Sequence, residues 1–283
     1  MDDYDISIYY ETLSELKDST HFNTQVGFGV YQALKGCLTP GYRPLDAAHR
    51  INILRMEYIG TPTSFLRLFW RAFLEVACQV PWFDDGQGKL VESISHLKSL
   101  RIQESGISFW GGLPEFKPCV GELWHTPGNG GNGGEKYRRW VNLNAFTARV
   151  YNNSLGEWYD LGIYSVRRAL ERLNYPSIPA RICRNFAAAM WMIYSAPKFF
   201  LLTQAAMTER GREAFTGTGY IVFGSPEFNG TTVITMARWI KWKRWFRESS
   251  ITGWDPPFTA YTYMHNVDGG VGMEDMDQLK SFG

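Results

Sequence analysis

Histidine and cysteine are scarce: 283 residues hold only five and four of them. Metal and nucleophile chemistry therefore has few places to start. His21, His49, His96, His125 and His265 include no two at metal-ligand spacing, and no HExxH occurs. Cys37, Cys78, Cys119 and Cys183 lie far apart without a CxxC pair, which excludes a dense disulfide framework and a sequence-clustered zinc site. They read as reduced, buried thiols. No Gly-Lys-Ser/Thr follows the glycine run, and Gly27-Phe28-Gly29 has no strand before it, so neither a phosphate loop nor a dinucleotide fingerprint is present. A GxSxG elbow, a kinase signature set and a DDxxD cluster are missing too; Asp84 and Asp85 stand without a third partner. No catalytic, cofactor-binding or metal-binding residue is assigned.

Long apolar runs are also lacking. The longest, Phe186–Leu202, is interrupted by Pro197 and Lys198, short of the roughly 20 residues a spanning helix needs. It reads as a central buried helix, and no membrane span is expected. The start, MDDYDISIYY, carries acids where a secretory signal needs a basic segment and an apolar run, so the expected location is cytoplasmic.

Aromatic residues are plentiful: 16% of the chain, including 11 tryptophans. With 45% hydrophobic and 20% charged residues, this is a globular composition with a large core. The net charge of +1 conceals a division. Glu135–Arg247 holds 17 Lys plus Arg against 7 Asp plus Glu, whereas the rest holds 12 against 21. Intramolecular pairing between the two parts is the simplest account.

Apolar spacing predicts a mainly α fold, an irregular multi-helix bundle. Helices are expected at Ser7–Leu16, Phe22–Leu38, from Pro44 to Gly60, and from a Thr61 or Thr63 cap to Pro81. After a loop at Asp84–Gly88, Leu90–Leu100 resumes the helical pattern. Gly111–Lys136, with three prolines and five glycines within Gly128–Gly134, reads as a long mobile loop. Further helices follow from Tyr137, over Trp158–Leu173, and over Arg181–Ser195, where Pro197 should break or kink the chain. A short hairpin between Tyr220–Phe223 and Thr231–Thr235 fits the β-branched residues there. The helix Met236–Ser249 closes a single domain over 1–255, and 256–283 reads as a mobile tail.

That closing helix is the strongest candidate binding surface. Arg238, Lys241, Lys243, Arg244 and Arg247 accompany Trp239, Trp242, Trp245 and Phe246, a mixture that suits a partner, a lipid surface or stacked bases. The competing reading has the aromatic face closing the core while the basic side chains stay solvated. Cys119 and His125 are the nearest Cys–His pair, on spacing alone. Glu122 and Trp124 read as anchors of the central loop against a helix.

The segments RWVNLNAFTARV (Arg139–Val150), YSVRRALE (Tyr164–Glu171) and RWIKWKRWF (Arg238–Phe246) give the chain a resemblance to a fungal family, the domain of unknown function 3632. That resemblance spans roughly Tyr9–Glu248. It implies a filamentous-fungal, intracellular, mainly helical protein, and it supplies no catalytic residue. Within these motifs Asn142 and Asn144 suit a capping or buttressing role, and Trp140, Phe146, Arg149 and Arg168 suit links between helices. A buried Arg149 or Arg168 would need a carboxylate, with Glu122 or Glu171 as candidates. Two functions stay open. One is a non-catalytic helical interaction or scaffold protein. The other is an enzyme or small-molecule binder with an aromatic-lined cavity. A protein partner or small molecule is expected in preference to nucleic acid.

Overall fold

The computed structural model describes residues 22–100, 102–104, 107–124, 133–171, 177–205, 234–253 and 255–270. Among them are ten helices: α1 (Gln25–Leu38), α2 (Pro44–Glu57), α3 (Pro62–Gln79), α4 (Gly86–Ser99), α5 (Phe116–Leu123), α6 (Gly133–Asn152), α7 (Tyr159–Leu170), α8 (Ile178–Ala205), α9 (Met236–Ser249) and α10 (Pro256–Val267). One antiparallel ladder joins β1 (Gln103–Glu104) to β2 (Ile107–Ser108). The fold is mainly α, as apolar spacing predicts. The expected helix Ser7–Leu16, the glycine run up to Asn132 and the expected hairpin lie outside the described residues, apart from Ile234 and Thr235. Thr235 is the cap of α9, its Oγ1 accepting from Arg238 N at 3.2 Å.

Apolar patterning reads 1–255 as one domain. By its contacts the chain groups instead into two compact units, 1–127 with 134–157, and 128–133 with 158–283.

In the first unit, α1 packs on α2, α3 and α4, and α3 also carries α5. The helix starts follow from local chemistry. Thr24 Oγ1 accepts from Gly27 N at 3.0 Å, and Thr61 Oγ1 accepts from Ser64 N at 3.2 Å, each satisfying an orphan donor. Pro44 and Pro62 sit in first turns, where a missing N–H costs nothing. Phe65, Phe69, Trp70 and Phe73 of α3 are all buried and mesh with Trp110, Phe116 and Phe146. Ring centroids lie 4.8 Å apart for Trp70–Phe116 and 5.2 Å for Phe69–Trp110, both edge-to-face.

The expected loop over Gly111–Lys136 contains a helix. In α5, Phe116, Cys119 and Val120 share one buried stripe, and Pro118 falls in the first turn. Gly112, at φ 67°, makes the tight turn into it. Loop anchoring follows the sequence reading. Arg71 of α3 donates to both Glu122 carboxylate oxygens at 2.9 and 3.0 Å, and Trp124 packs 5.0 Å from Trp140.

In the second unit α8 is central, packed by α7, α9 and α10. Its length and composition would suit a membrane span, yet Ala187–Met192 is buried by neighbouring helices. Pro197 does not end it. The helix forgoes one i→i−4 bond there, while buried Trp191 and Phe199 on either side hold it in place. Both rings press on Gly162 of α7, where any Cβ would collide with them.

The tail expected from Pro256 begins instead as α10. Asp255 caps it by accepting from Phe258 N at 3.3 Å, and Pro256 and Pro257 occupy its first turn. Pro256, Pro257, Ala260 and Met264 are buried. Gly269 and Gly270, at φ 67° and 78°, end it, with Gly270 N donating to His265 O at 2.9 Å.

Candidate functional site

The basic, tryptophan-rich helix α9 turns most of its face inward. Trp239, Trp242 and Phe246 are completely buried, so the aromatic face closes the core. Two of its cations are buried as well, which corrects the expectation that all of them are solvated. Arg238 donates from Nε to Glu171 Oε1 at 2.7 Å and from Nη2 to Oε2 at 3.0 Å. Trp242 Nε1 donates to the same Oε1 at 2.9 Å, and Arg167 Nε reaches Oε2 at 3.2 Å. Lys243 Nζ meets Asp268 Oδ2 at 2.6 Å, and Trp239 Nε1 donates to that oxygen at 2.9 Å. Each carboxylate thus neutralises a buried cation and accepts an indole N–H, which is what burying such charges requires. On the outer side, Lys241 lies over the Trp245 ring at 4.9 Å and Arg247 over Tyr261 at 5.9 Å.

Glu171 is therefore a buried partner, for Arg238 and Arg167 rather than for Arg168, which donates to Tyr164 Oη at 3.0 Å. Arg149 donates to the Trp82 carbonyl at 2.7 Å. In the first unit, Asn142 buttresses the end of α3: Nδ2 donates to Cys78 O and Oδ1 accepts from Trp82 N, both at 2.9 Å. Gln87, which the sequence reading passes over, adds donations to Ala77 O and Val80 O at 3.1 and 2.8 Å. Together they satisfy carbonyls that a helix end leaves open. Asn144 donates within its own helix, to Trp140 O at 2.9 Å. Arg139 and Glu75 form a further part-buried pair at 2.7 Å.

The four cysteines are buried, and none is disulfide-bonded. Burial pushes the Cys78 and Cys183 thiols up to about 12 and Cys119 up to about 11 from an ordinary 9.0, and raises Cys37 as well. Cys119 sits in α5, and His125 lies outside the described residues. A protonated thiol is a poor nucleophile. At about pH 8 the native protein should resist a thiol-titrating disulfide reagent and release all four equivalents only after denaturation. Fast labelling of any one thiol in the native state would contradict this. The same shifts set a pH limit. Folded values above the unfolded one mean the thiols' contribution to stability is whole below about pH 9 and is lost as pH rises toward 12.

A cleft of about 330 Å³ opens in the second unit where the end of α7, the start of α8 and the end of α9 meet. Leu170, Phe186 and Trp245 supply apolar and aromatic walls; Arg181, Asn185 and Glu248 supply polar groups. Asn185 is 7% exposed, and its buried Oδ1 has no hydrogen-bond partner among the described residues. The exposed side chains of Arg181 and Glu248 line the same cleft without an ion pair, to each other or to any other group among the described residues. Elsewhere every buried carboxylate among the described residues (Glu75, Glu171 and Asp268) is engaged by a cation. Three polar side chains that the described fold does not use converge beside two aromatic rings. The sequence reading assigns none of them. The legible signal is Asn185 itself, an amide that follows Arg184 at the edge of the apolar run Phe186–Ile193.

Among the described residues no three His, Cys, Asp or Glu side chains gather as a metal site. No curated protein and no solved structure matches the chain. One family model does, over residues 70–246, from α3 to α9 and thus across all three motif segments. The chain belongs to that family, described as a protein of unknown function (DUF3632).

Proposed function

We propose that this is a non-catalytic helical interaction protein, which works by holding a ligand or partner in the cleft between α7, α8 and α9. The observation that carries this reading is the meeting of Arg181, Asn185 and Glu248 on one cleft, with no ion pair to the two charges and no hydrogen bond to the Asn185 Oδ1 among the described residues. Binding sites are where polar groups are left available at the expense of internal satisfaction. The lack of a nucleophile–base pair among these residues favours binding over turnover. Nucleic acid is the weaker candidate, because Arg139, Arg149, Arg167, Arg238 and Lys243 of the basic stretch are engaged inside the fold. A filamentous-fungal origin is supported by the NLNAF motif, and a cytoplasmic location by four free thiols.

A second reading, an enzyme acting in the same place, draws on Phe186 and Trp245 as walls for a small substrate. Native mass spectrometry of the full chain purified from its own host separates the two. A molecule or partner retained by the wild type and lost in Asn185→Leu, and recovered chemically unchanged after incubation, is the expected result. Conversion of the retained molecule into a different product would overturn the non-catalytic reading.

A further inference from the structure

We infer that the occupant of this cleft is a zwitterion of the free α-amino-acid class with an apolar side chain. The inference rests on the cleft being the binding site and names the chemistry of what fills it. Arg181 and Glu248 are opposite charges on one cleft that do not pair with each other, so each is open to a complementary charge on a ligand. A carboxylate answers the Arg181 guanidinium, whose planar fork takes both oxygens. An ammonium answers Glu248. Asn185, itself nearly buried, borders the same cleft and adds an amide beside the ligand's polar end. The end of α9 strengthens the same polarity. Glu248 and Ser249 are its last residues, where helix carbonyls leave partial negative charge that favours a cation. Arg181 stands near the opposite kind of terminus, in the first turn of α8, where anions are favoured. Leu170, Phe186 and Trp245 supply the apolar part of the lining. The whole space, about 330 Å³, is at the small end of ligand sites, roughly 300–1,000 Å³, and suits a single amino acid better than a nucleotide or a cofactor.

The test is isothermal titration of the full chain with L-phenylalanine, L-leucine and L-tryptophan, each beside its N-acetyl derivative and its amide. At least one parent amino acid should bind one-to-one, and loss of either charge on that ligand should weaken binding about 10- to 100-fold. Arg181→Met should erase the difference between acid and amide, and Glu248→Gln the difference between amine and N-acetyl. Both side chains are exposed, so neither change endangers folding. Derivatives that bind as tightly as their parents, with binding still abolished by Asn185→Leu, would overturn the zwitterion and leave the cleft as a binding site. No heat from any of the compounds, together with an Asn185→Leu variant more stable than the wild type, would overturn both.

Discussion

Replacing Glu171 by alanine is expected to lower unfolding stability by about 3–5 kcal/mol in urea denaturation. The reason is what remains behind. Arg238 has no solvent exposure and gives two charge-assisted hydrogen bonds to Glu171; Arg167 and the Trp242 indole add a third and fourth. Without the carboxylate, a guanidinium closed off from solvent loses the group that binds it twice. Glu171→Gln should be nearly as damaging, because it keeps an acceptor for Trp242 Nε1 but removes the charge that Arg238 needs. Removing both charges, with Glu171→Met and Arg238→Met combined, should recover much of the loss, since a buried pair is costly to break yet often replaceable by packing. A Glu171→Ala loss within about 0.5 kcal/mol, the ordinary range for surface positions, would show the network to be hydrated rather than buried. The exposed Arg71–Glu122 pair is the internal control, and its removal should change little.

The second large effect concerns Asp268. Its Oδ2 accepts from Lys243 and Trp239, both buried, and its Oδ1 accepts from Gly270 N at 3.1 Å. Asp268→Ala takes the 2.6 Å carboxylate contact from the buried Lys243 ammonium and removes part of the structure that ends α10. A loss of about 3–5 kcal/mol is expected here too. It should come with faster chymotrypsin cleavage at Tyr261 and Tyr263 as α10 detaches. Asp268→Asn, which keeps the indole acceptor, should fall between the wild type and alanine. Unchanged cleavage in both variants would mean that packing by Pro256, Ala260 and Met264 suffices to hold the helix.

These two carboxylates show where sequence reading stops. Helix spans are legible where local signals agree with apolar spacing: Thr61-Pro62 opening α3, Pro44 opening α2 and the Trp239–Trp242–Phe246 stripe of α9. They are misread where proline and glycine are taken as punctuation alone. Pro118 inside α5 and Pro256-Pro257 at the start of α10 occupy first turns, where proline is well placed. Asp255 before them and Gly269-Gly270 after them are the start and stop signals of α10, present in the sequence yet easily passed over. Pairing partners are out of reach for a different reason. Glu171 and Arg238, or Lys243 and Asp268, meet only through tertiary packing, and no short-range rule links them. The cleft shares this property, since its polar residues come from α8 and α9, helices far apart in the chain.

Arg238 and Lys243 lie less than two turns apart on α9, one clasped by a residue at the end of α7 and the other by a residue following α10. If α10 lifts away alone, Lys243 loses the Asp268 carboxylate; if α7 leaves alone, Arg238 loses both of its hydrogen bonds to Glu171. A purely apolar contact would peel gradually, losing a little with each side chain exposed. Here every half-open arrangement breaks a short buried ion pair, so partial opening is disfavoured more strongly than loss of apolar burial alone would make it. Native-state amide exchange of α7, α9 and α10 then follows a single opening event rather than graded fraying. The two ion pairs thus act chiefly on cooperativity: they remove the intermediate states between a closed unit and an unfolded one.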